Sequence, residues 1–139
     1  MARDARQISR RLALLGMVVI AATGLYGAVG AGAGGRYAAH AARPTYDTSG
    51  LELHGHGAYT APRTHKQLRV TVCLRKRVGG RSFSVRCQTG TAAGRRVTAE
   101  VVVPGCVKGS WRTTSTGEAL SPKGEWAHQA SATSAPFHC

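Results

Sequence analysis

Apolar and polar residues alternate strictly from Leu68 to Arg75. Leu68, Val70, Val72 and Leu74 fall on one side of the run, and Arg69, Thr71, Cys73 and Arg75 on the other. Successive side chains of a strand point to opposite faces, so this period of two, rich in β-branched residues, predicts a half-buried strand. Gly79-Gly80 follows, and then Phe83 and Val85 alternate with Ser82, Ser84 and Arg86. Two alternating runs around a Gly-Gly pair predict a β-hairpin. Matching apolar sides across it sets Phe83 and Val85 against Val72 and Leu74.

Further along, Thr89 to Gly94 reads as a loop and Arg96 to Val103, with four valines, as a third strand stopped by Pro104-Gly105. Gly109 to Thr114 predicts a fourth strand anchored by Trp111, Gly117 to Gly124 a turn containing Pro122, and Glu125 to Ser131 a fifth strand. No segment carries a helical stripe. The pattern predicts an all-β fold over residues 67–139, a small disulfide-crosslinked sandwich or barrel of about five short strands. Residues 42–66 hold Pro44, Asp47, Ser49, Gly50, Gly55, Gly57 and Pro62 and read as a flexible leader, in which Leu51 and Leu53 allow one short strand.

The start of the chain has a different pattern. Arg3, Arg6, Arg10 and Arg11 precede an unbroken apolar run from Leu12 to Ala22, and the chain stays uncharged to Gly35. A basic segment, an apolar segment and small residues after it form the layout of a signal peptide over residues 1–41. Ala31-Gly32-Ala33 and Ala39-His40-Ala41 both offer small residues to a peptidase, so cleavage falls after Ala33 or Ala41. Ser9-Arg10-Arg11-Leu12 also suits a twin-arginine signal. Left uncleaved, Leu12 to Val29 is about long enough to anchor the chain in a membrane, its only expected membrane contact. By either route the rest of the chain is expected outside the cytoplasm, in the secreted case as a monomer.

That destination changes the reading of the cysteines. Cys73, Cys87, Cys106 and Cys139 are even in number, widely spaced and free of any C-x-x-C pair, which favours disulfides over a metal site. Of the three connectivities, neighbour pairing (Cys73 with Cys87, Cys106 with Cys139) is the simplest. Parity opposes the first bridge, because Cys87 shares a side with Phe83 and Val85 while Cys73 lies opposite Val72 and Leu74. A β-bulge near Gly79-Gly80-Arg81 would remove the conflict.

Charge narrows the function classes. The 139 residues carry 19 Lys and Arg against 6 Asp and Glu, a net +13. Without residues 1–41, which hold five Arg and one Asp, 14 basic and 5 acidic residues remain. Arg75, Lys76, Arg77, Arg81 and Arg86 crowd the hairpin and form the candidate anion-binding set. Their expected partners outside a cell are cell-wall polymers and other polyanions. The remaining carboxylates show no catalytic spacing, and G-x-S-x-G, H-E-x-x-H and phosphate-loop motifs are missing, so no catalytic residue and no cofactor is expected. His54-Gly55-His56, with His65 nearby, contains metal-ligating side chains, but reads as two exposed histidines in a glycine-rich leader, not as a metal site. Trp111 and Trp126 read as core anchors, and Arg112 as a surface residue.

The segments Val70-Thr71-Val72-Cys73-Leu74 and Cys106-Val107-Lys108-Gly109-Ser110-Trp111-Arg112-Thr113, with Cys87 and a terminal Cys139, resemble a group of small secreted four-cysteine proteins of actinobacteria. The resemblance covers about residues 68–139 and implies no activity. The cysteine spacing is also similar to that of actinobacterial subtilisin inhibitors. Those carry a Pro-rich reactive loop after the third cysteine, where this chain has Cys106-Val107-Lys108-Gly109-Ser110; Lys108 would be the specificity residue of such a loop. The expected function is a non-enzymatic extracellular binding protein for anionic polymer or cell surface. A protease inhibitor and a cationic toxin or antimicrobial protein are the alternatives.

Overall fold

The computed structural model describes residues 35–139; the signal-peptide readings on residues 1–34 lie outside the described residues. Seven antiparallel strands make one curled sheet: β1 (Ala38–Ala41), β2 (Thr45–Asp47), β3 (Glu52–Val78), β4 (Arg81–Pro104), β5 (Ser110–Leu120), β6 (Trp126–Thr133) and β7 (Phe137–His138). β3 pairs with β1, β2, β4 and β5 along its length, β5 with β6 and β7. The described residues are all-β and crosslinked by two disulfides, as the sequence pattern predicts.

β3 and β4 form one long hairpin that closes on Gly79-Gly80. Both glycines have positive φ, 56° and 82°, the backbone of a tight two-residue hairpin turn. At 27 and 24 residues the strands far exceed the usual length of about 5–6. They bend midway, where the ladder shifts register between Thr60 and His65 and again between His65 and Leu68. The first half of β3, flanked by β1, β2 and the end of β4, thereby folds over the second half and over β5. Backbones of the two layers come close: Gly55 sits against Leu74 and Thr113, Gly57 against Val72 and Ser115, and Gly117 against the ring of Tyr59.

Between the layers lies the core. Leu53, Tyr59 and Ala61 come from the first half of β3, Val97, Val101 and Val103 from β4, Leu68, Val70, Val72 and Leu74 from the second half of β3, and Trp111 and Ala119 from β5. Trp111 is the core anchor expected of it, and its indole nitrogen donates to the Val107 carbonyl at 2.8 Å. Buried Tyr59 donates to the His128 carbonyl, and burial pushes its hydroxyl pKa up to about 12.

Several expectations are corrected here. Residues 42–66 are no flexible leader: they supply β2 and the first half of β3, with Leu53 and Tyr59 fully buried. Their glycines allow the layers to meet, so the residues that suggest turns instead thin a strand. Thr89 to Gly94 is no loop but part of β4, paired with β3. β5 runs on to Leu120, so the expected turn shrinks to the stretch after it, where Gly124 N–H donates to the Ser121 carbonyl at 3.0 Å. Phe83 and Val85 are exposed, not core: Phe83 pairs with Lys76, past the last buried residue of β3, and Val85 has no register partner. Trp126 is only half-buried, capped by Arg69.

Neighbour pairing of the cysteines is what the fold adopts. Cys73 stands directly opposite Cys87 because the register steps from Leu74–Arg86 to Arg75–Ser84, leaving Val85 as the unpaired bulge residue. The parity conflict is thus resolved by a bulge at Val85 and not at the turn. Cys106–Cys139 ties the chain end to the loop before β5, and Cys139 N–H donates to the Gly109 carbonyl at 3.0 Å.

Two stability tests follow from this packing. Gly117→Ala drives a methyl group into the Tyr59 ring and is expected to cost about 1–3 kcal/mol, read as a lower urea midpoint, whereas Gly35→Ala, in open space, changes nothing. Replacing Cys106 and Cys139 together by Ser opens a closure of 33 residues, and by chain entropy this is expected to cost on the order of 3–4 kcal/mol. Unfolded, unreduced wild-type protein releases no titratable thiol.

Candidate functional site

In the second half of β3 the even-numbered residues Leu68 to Leu74 face the core, so the odd-numbered ones face outward. Across β5 they pair as Arg69 with Glu118, Thr71 with Thr116, Cys73 with Thr114, Arg75 with Arg112 and Arg77 with Ser110. The result is a polar outer face. Thr71 and Thr89 are bonded at 2.9 Å across β3 and β4, and Thr116 and Ser131 at 3.1 Å across β5 and β6. The Cys73–Cys87 bridge lies on the same face.

The two ends of this face differ electrostatically. At one end Arg69 is neutralised: its Nε donates to Glu118 at 2.7 Å, and its guanidinium lies 4.0 Å from the Trp126 ring centre. At the other end Arg75, Arg77 and Arg112 surround a recess of about 320 Å³, with Gly80, Ser82, Ser110, Thr114 and Thr133 completing its wall. Among the described residues, no carboxylate lines it. Arg75 and Arg112 are direct cross-strand partners, a like-charge pairing that destabilises a sheet unless something neutralises it. Their protein bonds are long: Arg75 reaches the Ser82 carbonyl at 3.4 Å and Arg112 the Ser134 carbonyl at 3.3 Å. Arg75 Nε is buried with no hydrogen-bond partner among the described residues. Planar guanidinium groups beside hydroxyls suit a phosphate, sulfate or carboxylate, which can accept paired N–H bonds.

The five basic residues singled out from the sequence therefore do not form one patch. Arg75 and Arg77 line the recess. Lys76 lies on the opposite face, 5.8 Å from the Trp111 ring centre. Arg81 follows the hairpin turn and does not line the recess. Arg86, paired with Leu74, crosses to the other layer and donates to the Val102 carbonyl at 3.0 Å. The bulge at Val85 contributes to this division, because it brings Ser82 and Ser84 to the side of Arg75 and leaves Arg86 on the other. Arg112, read from the sequence as an ordinary surface residue, is the third member of the recess. Finding it requires the register between β3 and β5, which no local pattern contains.

His65 is buried and separate from His54 and His56, bonded to Tyr37 at 3.1 Å and to the Leu120 carbonyl at 3.2 Å. His54 and His56 lie on the outer face of the other layer beside Glu100. The hydrogen bond to Glu100 raises the pKa of His54 and lowers that of the carboxylate. Lys108 is exposed in the loop between β4 and β5.

No family model matches the chain, and no curated protein matches it. Among solved structures it is similar to CsgH of R. palustris, at 14% identity over 67% of this chain and 89% of that one, with a TM-score of 0.38. It is also similar to Spo0M, a sporulation control protein from Bacillus subtilis, at 8% identity over 75% of this chain, with a TM-score of 0.31. The match covers 49% of the Spo0M chain, about half its length. Likenesses this distant assign no activity.

Proposed function

We propose that this protein is exported and acts outside the cell as a monomeric, non-enzymatic binder of anionic polymers, with the recess of Arg75, Arg77 and Arg112 as its working surface. The observation that carries the reading is the convergence of three guanidinium groups around one recess that no carboxylate of the described residues lines. Two of them are direct cross-strand neighbours, so an anion between them relieves repulsion as well as making new bonds. The adjoining face of threonine and serine hydroxyls suits the repeating hydroxyl groups of a wall polymer. Two disulfides fit an oxidising compartment. The cysteines are all bridged, so none offers a free thiol as a nucleophile.

Export also bears on processing. β1 pairs with β3 from Ala38–Thr60 to Ala41–Gly57, and Tyr37 stacks on His128 with ring centres 3.9 Å apart. Cleavage after Ala41 would strip this strand away. Cleavage after Ala33 keeps it, and that site is the one proposed.

Wall fragments and DNA serve as probes at low and high salt. Binding is expected to weaken steeply with salt. Changing Arg75, Arg77 and Arg112 together to Gln is expected to abolish most binding and to lower the salt slope by about 2–3. The same change at Lys76, Arg81 and Arg86 removes as much charge away from the recess and should leave most binding intact. Equal losses from both triples would reduce the recess to bulk charge. The processing prediction is read from the intact mass of protein recovered from the medium: a chain beginning at residue 34 is expected, and one beginning at Ala42 would sink it.

A further inference from the structure

We propose that His54, His56 and Glu100 form a binding site for one divalent transition-metal ion, Zn2+ or Cu2+. One ligand atom from each residue lies within 4.8 Å of the others. The strand geometry builds this set. His54 and His56 are two apart on β3, so both imidazoles leave the same face, and Glu100 of β4 is the direct cross-strand partner of His56. Their rings are close to parallel, 14° apart, with centres 6.2 Å from each other.

Glu100 Oε1 already gathers both histidines, at 2.5 Å from His54 Nδ1 and 3.6 Å from His56 Nε2. A cation would take the place of the proton between His54 and Glu100, with His56 Nε2 as third ligand. Two imidazoles and one carboxylate suit Zn2+ and Cu2+, and not Ca2+ or Mg2+, which prefer oxygen ligands alone. Water can fill the remaining positions, because the side chains of His56 and Glu100 are 52% and 45% exposed.

Two further observations fit a site of this kind. His54 Nε2 is buried without a hydrogen-bond partner among the described residues, and Glu52 Oε2 lies 3.5 Å from it. A carboxylate on the far nitrogen of a ligating histidine is the usual support that orients the ring. The charge distribution is the second. Beyond residue 41 the chain has five carboxylates, Asp47, Glu52, Glu100, Glu118 and Glu125. Glu52 and Glu100 flank the histidines, and Asp47 is the register partner of Glu52. This corner is therefore acidic in a strongly basic protein. The site shares no residue with the arginine recess and does not depend on it.

The test is calorimetric titration of untagged exported protein with zinc chloride and, separately, copper sulfate. One equivalent of at least one ion is expected to bind. His56→Ala and Glu100→Gln are each expected to weaken binding about 100-fold or more, and Glu52→Gln about 10-fold, the lower end of what orienting carboxylates contribute. His40→Ala and His138→Ala should leave it unchanged. His56 and Glu100 are exposed enough for their variants to fold, which near-ultraviolet circular dichroism checks. The proposal is overturned if neither ion binds at one equivalent, or if His56→Ala weakens binding by less than about tenfold.

Discussion

One strand packing against itself is the constraint from which the rest of this fold derives. β3 is 27 residues long, and at about 3.3 Å per residue it would reach roughly 90 Å if straight, far beyond what a chain of this size can cover. Bending it near residues 60–68 turns that excess into a core. Leu53 and Tyr59 on the first half meet Leu68, Val70, Val72 and Leu74 on the second in one apolar cluster. The contact needs thin strands, because side chains on both layers at every position would hold them apart. Gly55, Gly57 and Gly117 supply the thin places, and Leu74, Val72 and Tyr59 fill them. Burial of these apolar groups drives the fold, while the two bridges limit the freedom of the unfolded chain.

The same fold-over separates charge. Each layer has one face in the core and one in solvent, and the two solvent faces carry different chemistry. Arginines and hydroxyls occupy the face of β3's second half and β5. Histidines and carboxylates occupy the face of β3's first half and the end of β4. Arg69 and Glu118 show what happens when opposite charges meet on one face: they satisfy each other and offer little to a ligand. The recess of Arg75, Arg77 and Arg112 has no such partner in its wall among the described residues. Separation, more than the total of +13, concentrates positive charge at this one place on the surface.

Local periodicity made part of this legible. The alternation from Leu68 to Leu74, the Gly79-Gly80 turn, the valine-rich end of β4 and the all-β class all follow from neighbours a few residues apart. The cysteine pairing followed from simplicity, against a parity argument that assumed an unbroken ladder up to the turn. Val85 breaks that ladder, and a bulge leaves no mark in the order of Ser82, Phe83, Ser84 and Val85. Residues 42–66 were misread for a physical reason. Glycine and proline mark turns in isolated segments, yet here Gly55 and Gly57 answer a demand made by residues 74 and 72, which lie far along the chain. The site residues missed, Arg112 and Glu100, are both cross-strand partners of residues already noted, Arg75 and His56. Only long-range register joins them.

A change of phase along β3 explains why both outer faces are polar. In its first half the odd-numbered residues Leu53, Gly55, Gly57 and Tyr59 turn inward; in its second half the even-numbered Leu68, Val70, Val72 and Leu74 do. An unbroken alternation would put His54 and His56 on the same side as Leu68 and Val70, burying imidazoles wherever the leucines are buried. The irregular stretch between Thr60 and Leu68 absorbs the mismatch by shifting register twice. β4 makes the complementary change, with Val97, Val101 and Val103 inward after Gly94, whereas Thr89 faces outward with Thr71 before it. The bend therefore folds the sheet and also sets which side chains each layer shows to solvent. Were its phase altered by one residue, the core of one layer and the polar face of that same layer would exchange places, and a single slip would remove both the packing and one of the two proposed sites.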